Sequence, residues 1–527
     1  MHWVTEQRRS LLPAAVLIAA SLVACGGGDG GGNPPPNPPP PGPPGPPVSG
    51  PAWPGFGRNA QHTASSEAAT PTLNRIVWQT PVDLMPQYVG GGYLLAHYGS
   101  PVVSAQNTVL VPIKTGAQGG FRFEARNGAN GALMWGADSD YVVPPHGWFP
   151  SFNLTLTLNG RVYAPGAGGK LLYRDNVDST TGSVQRAVFY GDAVYDGARV
   201  ELDNAVRIST PITVDAAGNA WFGYLVTQAN SAGLTSGVAR VAVNGTGSWQ
   251  PASVLANDPA IDRVAMNSAP ALSADGATLY VAVTDAQSHG YLLALDSATL
   301  TRTARVQLMD PLSAMPARIV GDATSSPMVG PDGDVYYGVL ENPGGSHNSR
   351  GWLLHFNASL TQTKFPGSFG WDNTPSIVTS ASVPGYTGTS AYLVASKYNN
   401  YAGAGSGDGQ NRMAILDPTT SQADPISGAQ VQVMTQVLTI LGPSPDSQNP
   451  GGVREWCVNT GAFDPGTRSM LINNEDGYLY RWDLATNTLS QRIRFNNGIG
   501  QSYTPTAVGP DGRIYAINNA VLFVVGQ

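Results

Sequence analysis

The sequence predicts an all-β protein: a single β-propeller, most simply of eight four-stranded blades. Three observations carry this. Glycine (64) and proline (43) are abundant among 527 residues and charged residues make up only 12%, about half the usual share, so turns are many and helix-favouring charges few. A segment of the form small-polar, Pro, alternating apolar, Gly or Asp-Gly, apolar, aromatic recurs along the chain. After each recurrence comes a second pair of alternating strands with its own turn signal, giving four antiparallel strands per unit.

The clear copies are GSPVVSAQNTVLVPI (99–113), STPITVDAAGNAWFGY (209–224), SAPALSADGATLYVAV (268–283), SSPMVGPDGDVYYGV (325–339) and TPTAVGPDGRIYAIN (504–518). Degenerate copies lie at 154–166, 373–395 and 459–474. Pro211, Pro270 and Pro327 align, 59 and 57 residues apart. With the strands of a unit named A to D, the Asp-Gly pairs fall at the A–B turn, where residues that tolerate positive φ close tight hairpins. Second halves such as GYLLALDSATLTRTARVQL (290–308) and DGYLYRWDLATNTLSQRIRF (476–495) supply C and D. Blades then begin near 99, 152, 208, 266, 324, 373, 457 and 501; seven blades is the alternative, with one degenerate copy misassigned. The eighth ends after strand C. NRIVWQTPVD (74–83) has the tryptophan-bearing alternation of the D strand GALMWGAD (131–138), and it is expected to close the ring as the eighth blade's D strand. Closure hides sheet edges that invite aggregation.

The N-terminus divides differently. Residues 1–24 read as a signal peptide: Arg8 and Arg9, then the apolar run LLPAAVLIAASLVA, too short to span a bilayer comfortably. Leu22-Val23-Ala24-Cys25 resembles a bacterial lipobox, which implies that Cys25 is lipidated and becomes the mature N-terminus. Gly26 after the cysteine, by the same resemblance, implies the outer membrane, with the body facing periplasm or cell surface. Residues 25–51 add GGGDGGGNPPPNPPPPGPPGPP, a flexible then extended tether of about 3 Å per residue in its proline part. Residues 52–527 form the propeller. The other cysteine, Cys457, then has no disulfide partner within the chain.

Two stretches carry a family resemblance. AWPGFGRNAQHTA (52–64) resembles the Trp-x-x-Phe-Gly-Arg opening of PQQ-like (quinoprotein-type) β-propellers, and DGYLYRWDLATNTL and GYLLALDSATL resemble that family's repeat. The resemblance spans roughly 52–527 and implies architecture. It also implies one possible chemistry, a PQQ-dependent alcohol or sugar dehydrogenase using PQQ with Ca²⁺. The adjacent cysteines that ring the cofactor in the family's alcohol dehydrogenases are missing, and no catalytic or metal-ligating residue of the family maps here.

Other motifs fail. APGAGGKLL (164–172) lacks the first glycine and final Ser/Thr of a phosphate loop and precedes a strand, so it reads as a hairpin. No GxSxG, HExxH, CxxCH or EF-hand spacing occurs. A net charge of −7 without any basic run excludes a nucleic-acid partner.

Strand alternation places A–B and C–D turns on one face and B–C loops and D–A crossovers on the other. The A–B turns are short; the loops of the second face are long and hold most histidines and many aromatics. The candidate binding residues there are Tyr93, His97, Tyr98, His146, Trp148, His289, His347, Tyr398, Tyr401, Glu455, Trp456 and Asn459. Such a surface suits a protein, glycan or small-molecule partner. The leading expectation is a lipid-anchored binding or scaffold module of the bacterial envelope; the alternatives are the PQQ-dependent oxidoreductase and a polysaccharide-binding surface protein.

Overall fold

A computed structural model of the chain describes residues 48–89, 94–320, 325–344, 350–403, 407–446, 449–497 and 501–527. The expected signal peptide, Cys25, most of the expected tether, Tyr93 and His347 lie outside the described residues.

Eight antiparallel blades form the ring. Blade I is typical: A is Val102–Val103, B Thr108–Lys114, C Phe121–Asn127 and D Leu133–Ser139. Strand B is buried at every position while D alternates, as expected of an inner strand packed on both sides and an outer one facing solvent. In blades III and IV two short segments share the inner position; Val206–Ile208 and Thr213–Val214 both pair with Ala220–Val226. Blade V keeps three regular strands, and its outer position is reduced to bridges from Thr363 and Gly367 onto strand C, Gly351–Phe356. The gap is flanked by the long C–D hairpin of blade VI, Arg412–Asp424 and Gly428–Leu441. Asp424 reaches back to Arg350 at 2.6 Å, and Val431 and Val433 join the core of blades IV and V. A groove of about 680 Å³ remains there, between Met309, Phe356, Phe365 and Pro418 on the ring's flank.

The expected closure is present. Arg75–Pro81 pairs antiparallel with the final strand Val521–Gly526, from Arg75 opposite Gly526 to Pro81 opposite Val521. Trp78 latches this strand to blade I. Its indole N–H donates to Gly128 O at 2.8 Å, and its ring covers Gly131, where a Cβ would sit 2.7 Å from the indole. Gly131 also has φ +74, so any other residue there meets both a clash and backbone strain.

The stretch before the closing strand has a role that its motif did not reveal. Residues 53–64 lie across the A–B end of the ring axis and bond to the inner strands of six blades. Trp53 exchanges bonds with Val103, and the carbonyls of Pro54, Ala60, Gln61, Thr63 and Ala64 accept from Leu156, Leu272, Val329, Ile377 and Phe463. Such a hub needs a tight turn. Gly57, at φ +55, packs so close to His62 that a Cβ would lie 2.9 Å from its Cα.

His62 sits inside this hub, fully buried. Its Nδ1 lies 2.7 Å from Pro327 O, so Nδ1 carries the proton and donates. Burial pulls its pKa down from 6.5 to about 4, against the smaller upward push of that hydrogen bond. The folded protein thus keeps the ring neutral at pH values where the unfolded chain protonates it. This stabilisation is complete above pH 6.5 and is lost as pH falls toward about 4, by up to about 3 kcal/mol. His62→Gln is expected to flatten the fall in unfolding free energy between those pH values in urea titrations; an unchanged slope would assign the acid sensitivity elsewhere.

Few helices interrupt the strands. Asp192–Gly197 and Arg199–Ala205 fill the crossover from blade II to III, and Ala252–Ala256 follows blade III. The APGAGGKLL stretch is a B–C hairpin of blade II, as its sequence predicts. No described helix is long and apolar enough to cross a membrane.

Candidate functional site

At the axis end opposite the hub, side chains from six D–A crossovers and two B–C loops meet. His97 from the crossover into blade I stacks on Trp148 from the crossover into blade II, with centroids 5.2 Å apart. Tyr503, entering blade VIII, stands edge-on to both. Asn267, entering blade IV, points its amide at His97 Nδ1 from 3.2 Å. Its Oδ1 accepts from Ser151, so its nitrogen faces His97, and the neutral imidazole carries its proton on Nε2. Blades I and IV are three apart, so these residues meet only at the axis.

From Tyr503 the contacts run on to a buried polar cluster. Cys457 Sγ, in the crossover into blade VII, lies 2.9 Å from the Tyr503 hydroxyl; the cysteine is buried and outside any disulfide. Glu455, two residues earlier, accepts a short hydrogen bond from the Tyr401 hydroxyl and a longer one from Asn399 Nδ2 at 3.4 Å. Lys397, at the end of strand B of blade VI, is fully buried and ion-paired at 2.5 Å with Asp372. Its ammonium also lies over the Phe369 and Tyr503 rings, at 5.6 and 5.7 Å. Burial depresses the Lys397 pKa, but the charges of Asp372, Cys457 and Glu455 outweigh it and hold the group above its ordinary value.

Glu475 completes the cluster from the B–C turn of blade VII. Its exposure is 0%, and neither carboxylate oxygen has a nitrogen or hydroxyl partner among the described residues. Burial, then the neighbouring charge of Glu455, pushes its pKa well above the usual carboxylate range. The carboxyl is therefore held neutral beside the Cys457 thiol.

Of the residues proposed from sequence, this cluster gathers His97, Trp148, Tyr401 and Glu455. Trp456 is fully buried between blades VI and VII, edge-on to Tyr480. Asn459 is buried and accepts from the Thr460 hydroxyl at 2.7 Å. Tyr398 belongs to strand B of blade VI, not to the loop after it; its hydroxyl accepts from Gln436 at 2.9 Å. Tyr98 donates to Asp83, itself ion-paired with Lys114, and so ties the crossover to blade I. His146 and His289 stay in their loops. His146 Nδ1 is 2.7 Å from Pro144 O, and His289 faces Asp285 at 4.0 Å. Their neighbours Pro145 and Ser288 line a hollow of about 100 Å³ between blades III and IV.

Sequence reasoning missed Asp372, Lys397, Glu475, Tyr503 and Asn267, and it read Cys457 only as an unpaired thiol. One signal was available. Lys397 sits in AYLVASKYNN, a lone cation at the end of an apolar strand, where only a buried counter-charge tolerates it.

No protein-family model matches the chain, and no curated protein matches it. Solved structures do. A europium-containing methanol dehydrogenase aligns over 88% of this chain and 89% of its own, at 11% identity and TM-score 0.52. The quinohemoprotein alcohol dehydrogenase from Comamonas testosteroni aligns over 90% of this chain and 81% of its own, at 12% identity and TM-score 0.53. Sqt1 of Saccharomyces cerevisiae aligns over 87% of this chain and 99% of its own, at 10% identity and TM-score 0.47. At such identities the likeness is one of fold, and the fold is an eight-bladed β-propeller.

Proposed function

We propose that the chain is a lipid-anchored, extracytoplasmic propeller that serves as a binding module, taking its ligand at the axial cluster of the long-loop face. The observation that carries this is Glu475. Taking a polar group out of water without full hydrogen bonding costs roughly 2–7 kcal/mol, and neither Glu475 oxygen has a nitrogen or hydroxyl partner among the described residues. Groups kept at such a cost cluster where proteins bind or react. The lipobox-like LVAC at Cys25 and the Gly/Pro-rich run after it support anchoring and tethering.

PQQ, the cofactor of the enzymes the chain resembles, does not suit these residues. It carries three carboxylates and calls for basic or amide donors. The cluster instead sets Asp372 and Glu455 near Lys397 and Glu475 next to Glu455, and the lysine is already paired with Asp372. The donor set is that of a cation site.

The reading is tested by equilibrium dialysis of the detergent-solubilised full chain against the small-molecule fraction of an envelope extract. The expected result is retention of a component by the wild type and its loss from Glu475→Gln. Equal retention, or none, overturns the reading. For the anchor, Cys25→Ser is expected to move the protein from the membrane to the soluble fraction and to abolish fatty-acid labelling; labelling that persists would refute lipidation at Cys25.

A further inference from the structure

The binding reading above leaves the ligand's class open, and the geometry of three side chains narrows it. One ligand atom each from Glu455, Cys457 and Glu475 can be chosen so that all lie within 4.8 Å of one another, and all three residues are buried. That spacing suits donors around a single ion: ligands about 2.0–2.3 Å from a tetrahedral centre stand some 3–4 Å apart. The second observation is independent of the spacing. Glu475 is fully buried, and it is the one buried carboxylate among the described residues with neither oxygen bonded to a nitrogen or hydroxyl, where folded proteins pair the great majority of buried polar groups.

The surroundings orient these donors. Tyr401 and Asn399 hold Glu455, and the Tyr503 hydroxyl meets Cys457 Sγ. The Cys457 backbone N–H donates to Asn474 Oδ1 at 3.2 Å, and Asn474 begins the tight turn that carries Glu475. Groups that position ligands in this way tune metal sites. A thiolate beside two carboxylates selects against the hard ions calcium and magnesium and for borderline ions of the zinc class.

We propose that Glu455, Cys457 and Glu475 form a three-ligand site for a divalent, thiol-binding cation of the zinc class, on the axis of the long-loop face. The proposal deepens the binding reading and rests on it. Three protein ligands leave a fourth position on a tetrahedral ion, so a second small molecule can join the ion there.

Cobalt(II) titration of the chelator-stripped, detergent-solubilised full chain tests the site. The expected result is one cobalt per chain with a thiolate-to-metal charge-transfer band, displaced by zinc and not by calcium. Cys457→Ser is expected to lose the band. Glu475→Gln is expected to weaken binding by at least about tenfold, since even outer-sphere changes cost that much. A wild type without the band, a band that survives Cys457→Ser, or displacement by calcium as effective as by zinc would each overturn the proposal. Should Cys457→Ser fail to fold, X-ray absorption on the zinc-loaded wild type decides. A sulfur neighbour at about 2.3 Å supports the site, and an oxygen-only shell sinks it. A chain that retains an organic compound in dialysis but shows no cobalt band keeps the binding reading and loses the metal site.

Discussion

Removing residues 48–84 is expected to turn one cooperative melt into a broad, stepwise loss of structure. The deletion takes away both devices that make the ring a unit. The segment 53–64 bonds to inner strands of six blades, and Arg75–Pro81 is the only partner of the outer edge of Val521–Gly526 among the described strands. Without them blade VIII exposes an apolar edge, a template for intermolecular pairing. Neighbouring blades then share fewer contacts and uncouple, as stacked repeats do when their interfaces weaken. Trp78→Ala is the gentler form of the same experiment. It empties a buried indole site and removes one of the two donors to the Gly128 carbonyl, Arg513 being the other, at an expected cost of about 3–5 kcal/mol. Calorimetry checks both: a truncated chain with an unchanged single transition would mean that the blades hold the ring closed without these segments.

Asp372→Asn is expected to destabilise the fold by about 3–5 kcal/mol, because it removes the carboxylate paired with the buried Lys397 ammonium. Lys397 is fully buried, and Asp372 stands 2.5 Å away. The double variant Asp372→Asn, Lys397→Met removes the ammonium as well and is expected to recover most of the loss, since an apolar side chain suits the Phe369 and Tyr503 rings that flank it. Urea unfolding of the four chains forms a double-mutant cycle. Additive losses would show that the two residues do not act as a pair.

The blades and their closure were legible because each depends on local pattern. Alternation, Asp-Gly turns and a missing fourth strand all sit within a few dozen residues, and the closing role of the 74–83 segment followed from counting strands, though its register against Val521–Gly526 did not. The helices at 192–205 were not legible. YGDAVYDGARVELDNAV has short apolar spacings that suit a loop as well as a helix, and six- and seven-residue helices hold only by packing Tyr195 and Leu202 into the core. The site was legible as a face and not as a cluster. The long loops marked which end of the ring to inspect, and His97, Trp148, Tyr401 and Glu455 came from it. But Asp372, Lys397 and Glu475 belong to a crossover, a strand end and a turn of a different blade, and NNEDG reads from sequence as a plain turn. Only the ring geometry turns Glu475 inward. Tyr398 shows the converse: counted as a loop aromatic, it finishes a strand in which every residue is buried.

The hub at residues 53–64 also sets the order of assembly. Its carbonyls await strands as distant as Phe463, and the strand behind it awaits Val521. The first part of the propeller to be synthesised is thus among the last to find its partners. Contacts of such sequence separation make folding slow. A chain interrupted before its final strand has nowhere to seat the Arg75–Pro81 segment, so the ring verifies its own completeness before it becomes stable.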